Sequence, residues 1–117
     1  MSWQAVCAEE AVREGTPVLV TIGRREVGII RHRETLHAVL NFCPHAGAPI
    51  ARGRVESPVT ADEPGGGVRV DADHPVLRCP WHHWEFDLAT GASLCPIKPR
   101  INVFPVRVQD GQVWIDA

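Results

Sequence analysis

Two short stretches hold the residue types that bind metal, Cys43-Pro44-His45 and Cys79-Pro80-Trp81-His82. Each puts one thiolate donor and one imidazole donor on a tight loop. A zinc finger groups Cys with Cys and His with His, and a four-Cys ferredoxin uses no His. One Cys and one His on each of two loops lets both thiolates converge on one metal and both imidazoles on another. That donor set suits an asymmetric two-iron cluster, with His replacing Cys on one iron. Thiolates add negative charge to their iron. Neutral imidazoles add none, so the His-ligated iron is the easier to reduce. A single zinc ion also accepts two thiolates and two imidazoles, which leaves a structural zinc module as an alternative from these residues alone.

Ligands about 35 residues apart must be brought together by a scaffold that does not collapse around an empty site. The chain reads as short strands between turns. Pro17 to Ile22 is β-rich and is followed by the turn signal Gly23, and Glu26 to Arg31 comes next. In Thr35 to Leu40, Leu36, Ala38 and Leu40 alternate with His37 and Val39. This segment leads into the first loop, Val76-Leu77-Arg78 leads into the second, and Trp84 to Phe86 leaves it. The one helical candidate, Glu9 to Glu14 before Gly15, is long enough for a turn or two. The pattern predicts an all-β chain, an antiparallel sandwich or barrel.

The length, 117 residues, predicts one domain over 1–117. A net charge of −2 favours neither nucleic acid nor an anionic membrane. Met1-Ser2-Trp3-Gln4 has no basic or apolar leader character. No apolar run approaches the ~20 residues of a membrane span. The expectation is a cytoplasmic protein with no nucleic-acid and no membrane partner. Four Cys are too few for a disulfide scaffold. With Cys43 and Cys79 as ligands, Cys7 and Cys95 remain. Both read as small buried hydrophobes, and a reducing cytosol disfavours a bridge between them. Glu56 to Pro75 is turn-rich around Pro64-Gly65-Gly66-Gly67, and Val68-Arg69-Val70 within it could form a hairpin strand.

The flanks of the two loops carry a resemblance. His45 is followed by Ala46-Gly47-Ala48-Pro49-Ile50, and His82 by Trp84-Glu85-Phe86-Asp87-Leu88-Ala89-Thr90-Gly91. With Phe104 to Val108, Asp110 to Val113 and the Trp3 to Cys7 segment, this resembles the Rieske 2Fe–2S family across almost the whole chain. The likeness is greatest to its small bacterial ferredoxins. The resemblance implies a β-sandwich with a cluster-binding subdomain at about 41–94, carrying the two ligand loops and an insertion at about 56–75. It implies one Rieske-type 2Fe–2S cluster on Cys43, His45, Cys79 and His82, with both imidazoles facing a redox partner. Around them, Pro44 stiffens its loop, Gly47 matches the glycine where backbone passes the cluster, and Trp81 reads as rim packing. Pro96 matches a third loop over the cluster, although a plain loop proline reads as well. His83 departs from the family's Gly. It reads as a solvated His, with a third titrating group near the cluster as the alternative. His32, His37 and His74 read as surface residues.

The implied function is one-electron carriage from a reductase to a terminal oxygenase. The alternative is a small subunit of a larger reductase, such as an assimilatory nitrite reductase. No second set of two His and one carboxylate suggests a mononuclear iron site, so the chain is expected to be a carrier rather than an enzyme. High potentials in the family accompany a disulfide in the ligand loops and Ser and Tyr hydrogen bonds to the cluster. This chain has no Tyr and no Cys pair in the loops. The expected potential is therefore at the low end of the Rieske range of about −150 to +300 mV. The 56–75 insertion reads as a tolerated surface loop, with partner recognition as the alternative.

Overall fold

The computed structural model describes residues 2–44, 47–56, 59–61, 68–70, 75–81, 84–94 and 99–117, the short segments 59–61 and 68–70 by their backbone alone. The strands are β1 (Trp3–Ala8), β2 (Val18–Ile22), β3 (Arg25–His32), β4 (Thr35–Leu40), β5 (Arg54–Glu56), β6 (Val59–Ala61), β7 (Val68–Val70), β8 (Val76–Arg78), β9 (Glu85–Asp87), β10 (Val103–Phe104), β11 (Val106–Gln109) and β12 (Gln112–Asp116). Two single-turn 3-10 helices, Glu9–Ala11 and Ile50–Arg52, are the helical elements among the described residues. The chain is thus all-β, as its alternating segments predict, and the Glu9 to Glu14 candidate closes after one turn.

Three antiparallel sheets form the body, in the orders β1-β12-β11, β10-β4-β3-β2 and β5-β8-β9. The four-stranded sheet has a core on each face, and its register shows why. Val18, Ile29, Ala38 and Phe104 are consecutive partners across β2, β3, β4 and β10. All four belong to an apolar cluster with Val113 and Ile115 of β12. Side chains alternate faces along a strand, so the next row, Leu19, Gly28, Val39 and Val103, points the other way. Leu19, Val39 and Val103 join a second cluster with Ile50, Leu77, Phe86 and Leu88. The four-stranded sheet is therefore the middle layer, with β1-β12-β11 below and the ligand-bearing segments above.

Gly28 is the small member of that second row. A Cβ there would come 2.2 Å from the Ala51 Cβ. Its bare backbone lets the Ile50–Arg52 turn sit directly on the sheet. The turn Asp110-Gly111 joins β11 to β12, which pair from Gln109↔Gln112 to Val106↔Ile115. Val68 to Val70 does form a strand. It pairs with β6 (Val59↔Val70, Ala61↔Val68) as a separate two-stranded ribbon. In the β5–β8 pair, Arg54 faces Arg78 and Glu56 faces Val76. The segment between these strands therefore leaves from the Glu56–Val76 end, the end away from Cys79.

Candidate metal centre

The two cysteines are placed by strand ends. β4 ends at Leu40, and Asn41 then fixes the approach to the first loop. Its backbone N–H donates to Glu26 O (2.9 Å) and its Nδ2 to Glu26 Oε1 (2.5 Å), while its Oδ1 accepts from Ala51 N–H (2.9 Å). One side chain thereby ties β3, β4 and the Ile50–Arg52 turn together, one residue before Phe42 and two before Cys43. The loop closes on itself, because Cys43 N–H donates to Ala48 O (2.8 Å) and Gly47 N–H to Cys43 O (2.7 Å). Gly47 has φ +73°, and a Cβ on it would meet the Phe42 ring at 3.0 Å. Bare backbone at Gly47 therefore passes beneath the Phe42 ring.

The second loop is closed in the same manner. Cys79 follows β8 directly, and its N–H donates to Trp84 O (2.8 Å). β8 lies between β5 and β9, with Arg78 opposite Arg54 on one side and Glu85 on the other. The Arg78 guanidinium spans Glu85 Oε2 (3.2 Å) and Glu56 Oε2 (3.5 Å). Half-exposed pairs of this kind contribute about 0.2–1 kcal/mol each, so their main effect is to hold the ribbon in register beside Cys79. β9 ends in a turn built by Asp87. Its Oδ1 accepts from Ala89 N–H (2.9 Å) and Thr90 N–H (3.2 Å), its carbonyl accepts from Gly91 N–H (2.7 Å), and its N–H donates to Ala92 O (2.8 Å). This gives physical content to the Phe86-Asp87-Leu88-Ala89-Thr90-Gly91 run. Phe86 and Leu88 anchor the core while the Asp87 carboxylate replaces the missing strand partners of the turn.

Cys43 is 0% exposed and Cys79 1%, both lie in the upper apolar cluster, and neither is in a disulfide. Two thiols held in one apolar cluster, each on a loop closed by backbone hydrogen bonds at the cysteine, are the donors a thiolate-bound iron requires. The chemistry of the donor set fits a Rieske cluster. Pro44 and Pro80 follow the two cysteines, and each removes one N–H from its loop. The partners His45 and His82 lie outside the described residues, as do His83, Pro96, Cys95 and His74. Among the described residues no group of three His, Cys, Asp or Glu side chains converges.

Large apolar side chains are exposed close to Cys43 and Cys79 in sequence, and Leu94, whose N–H donates to Glu85 O, is another. Phe42 and Trp81 are each 55% exposed and Leu94 is 53%. Cys7 is half-buried at the edge of the lower cluster, with a free thiol whose pKa is raised by burial. His37 corrects the sequence reading. It is partly buried and its Nε2 is enclosed with no hydrogen-bond partner among the described residues. Burial lowers its pKa below 6.5, His32 adds to that, and Asp87 opposes it. With no Cys at ligand spacing, His37 reads from sequence as a surface residue. It points instead to the upper face of a sheet covered on both sides. Asn41 and Gly53 were not singled out from sequence. Neither carries a local signal, since both act through contacts with distant segments.

Residues 2–105 match the Rieske [2Fe-2S] domain, and the chain belongs to that family. The domain indicates a single Rieske-type 2Fe–2S cluster as its cofactor. The chain is 27% identical to the anthranilate 1,2-dioxygenase ferredoxin subunit of Burkholderia cepacia over 98% of its length and 92% of that protein's. It superposes on a chain in the complex of reduced oxygenase and oxidized ferredoxin in carbazole 1,9a-dioxygenase, with a TM-score of 0.70 and 26% identity, covering 97% of this chain and 91% of that one. A structure assigned as the NADH-dependent nitrite reductase small subunit of Mycobacterium tuberculosis matches with a TM-score of 0.74 and 25% identity, covering 97% and 93%.

Proposed function

We propose that this chain is a one-electron carrier of the ferredoxin type, not itself an enzyme, that takes an electron from a reductase and delivers it to a terminal oxygenase. When bound, a Rieske-type cluster accepts and returns one electron. Cys43 and Cys79 would hold it by their thiolates, and His45 and His82 would hold it by their imidazoles. The observation that carries this reading is the pair of unbridged thiols, buried in one apolar cluster on two loops closed by short backbone bonds. The upper core keeps water from the thiolates. Phe42, Trp81 and Leu94 offer an apolar rim that a partner covers on docking, as suits a small transient interface.

The single Rieske domain spans the chain, with the cluster-binding subdomain at about 41–94. We read the 56–75 insertion as a tolerated loop. It is attached at the end of the β5–β8 pair away from Cys79, which supports the tolerated-loop reading over partner recognition. The cytoplasm is the compartment consistent with unbridged Cys7, Cys43 and Cys79. Among the described residues no helix is long and apolar enough to cross a membrane.

The nitrite reductase small-subunit likeness supports a second reading, in which the same cluster serves a larger reductase. Stopped-flow mixing separates the two. The reduced protein is expected to be oxidised by a ring-hydroxylating oxygenase and not by a nitrite reductase catalytic subunit. The reverse preference would establish the second reading.

A further inference from the structure

Four of the twelve Lys and Arg residues line one cleft, on a chain whose net charge is −2. A cleft of about 310 Å³ lies between the Arg13–Thr16 turn, the end of β3 and the start of β5. Ile30, Ala51 and Val55 line its apolar base, and Arg13, Arg31, Arg52 and Arg54 line its walls, with Glu14 as the single carboxylate. The arginines differ in how far they are committed. Arg31 is held, its Nε donating to Val12 O (2.6 Å) and its guanidinium near Glu9 Oε2 (3.9 Å). Arg54 pairs with Glu56 (3.4 Å) with its side chain 76% exposed. Arg13 and Arg52 are exposed, and they make no ion pair or side-chain hydrogen bond among the described residues.

Arg52, Gly53 and Arg54 also line a second hollow of about 230 Å³ on their other side, together with Arg78, Cys79 and Pro80. They therefore form a ridge between the cleft and the second ligand loop. A protein docked over the apolar rim at Trp81 would have its margin on this ridge.

We propose that the Arg13–Arg31–Arg52–Arg54 cleft is a docking site for an acidic segment of the redox partner. Two or more of the segment's carboxylates would pair with Arg13 and Arg52 while the apolar rim covers the cluster loops. The inference rests on the electron-carrier reading for the identity of the partner. Charge complementarity is its physical basis. Guanidinium groups form paired hydrogen bonds with carboxylates. Paired exposed charges steer encounter and set its salt dependence more than they set final affinity. The apolar base favours a segment that carries carboxylates on an aliphatic stem, as Glu does.

The test uses the full holoprotein and a fluorescently labelled octaglutamate peptide, followed by anisotropy at 10 mM and 150 mM ionic strength. The screening length falls from about 30 Å to about 8 Å between these conditions. Binding is expected at the lower ionic strength, weakened at the higher, and reduced about tenfold in R13E/R52E, where two attractions become repulsions. R24E makes the same kind of charge change in the β2–β3 turn and is expected to bind as the parent does. The visible spectrum of each variant confirms an intact cluster. It also separates failure of this inference from failure of the carrier reading, because peptide binding needs no electron transfer. Absent peptide binding would overturn the proposal. So would equal weakening by R24E, or competition by inorganic phosphate at peptide-equivalent concentration, which would make the cleft a small-anion site instead.

Discussion

Gly53→Ala tests whether the Ile50–Arg52 turn positions the second ligand loop. Gly53 caps that turn, with its N–H donating to Ile50 O (2.9 Å). Its φ of −72° suits any residue, so backbone conformation is not the obstacle. The obstacle is space. A Cβ on Gly53 would lie 1.9 Å from the Arg78 carbonyl oxygen, 2.9 Å from the Arg78 carbonyl carbon and 3.0 Å from Ile50 O. All three neighbours are backbone atoms, so no rotamer change relieves the clash. Bringing the nearest contact from 1.9 to 3.0 Å moves the β8 backbone by 1.1 Å or more. That shift falls on the residue before Cys79 and on the Arg54↔Arg78 pairing.

The stability cost combines overpacking, about 1–3 kcal/mol, with one weakened ladder hydrogen bond of about 1 kcal/mol. A total of about 2–4 kcal/mol lowers the Tm of a domain this size by roughly 8–15 °C. The second consequence is chemical. Metal–ligand distances tolerate only about 0.2 Å, so a displacement several times larger reduces cluster content or alters its absorption. Gly23→Ala is the contrast. Gly23 has φ +63° with nothing within 4 Å of an added Cβ. It carries only the left-handed backbone cost of about 1–2 kcal/mol, and an unchanged visible spectrum is expected. Differential scanning calorimetry and visible absorption on the two purified variants give both readouts. G53A with a parental Tm and a parental spectrum would refute the reasoning, since the β5–β8 ribbon would then shift without carrying Cys79.

Four further outcomes follow from the same structure. Trp81→Ala and Phe42→Ala, at residues each 55% exposed, are expected to slow electron transfer to the partner severalfold and to move Tm by less than about 2 °C, because little buried area is lost. Equal rates in both variants would remove the apolar rim from the docking face. His37 is held below its ordinary 6.5 by burial. The unfolded chain therefore binds a proton that the fold refuses, and stability falls as pH drops through 6.5 until the lowered folded value is passed. Denaturant titration at pH 7.5 and 5.5 should show a smaller acid loss in His37→Leu than in the parent, and identical losses would contradict the assignment. Cys43→Ser and Cys79→Ser should each abolish the cluster while Cys7→Ser retains it, as read by iron content. The potential measured by redox titration is expected below about +100 mV, and a higher value would contradict the link between a low potential and the missing Tyr and loop disulfide.

The donor pattern was legible because ligand type and spacing are local properties. Cys43 with His45, and Cys79 with His82, are adjacent in sequence whatever the fold does. Strand positions were legible for the same reason. Thr35–Leu40 and Val76–Arg78 appear where their composition placed them. What escaped was set by distant contacts. His37 has no Cys at ligand spacing and so reads as a surface residue, whereas a second layer covers its face of the sheet and encloses its Nε2. Asn41 is one polar residue among many until Glu26 and Ala51 are seen beside it. Nothing local marks Gly53, although the Arg78 carbonyl fills the space of its side chain. Pro105 breaks the closing segment into β10 and β11, which a run of β-formers from Phe104 to Val108 did not show. The ligand assignments to His45 and His82, and the readings of His83 and Pro96, stay with the sequence, outside the described residues.

The central claim is that two Cys and two His hold a two-iron cluster that carries one electron. The most direct measurement is visible absorption and EPR of anaerobically purified protein before and after dithionite. The account predicts a red-brown protein, silent when oxidised, whose reduced form gives a signal with average g below that of four-Cys ferredoxins. A colourless, EPR-silent protein with zinc on its Cys and His residues, or a reduced signal of the four-Cys type, would contradict it.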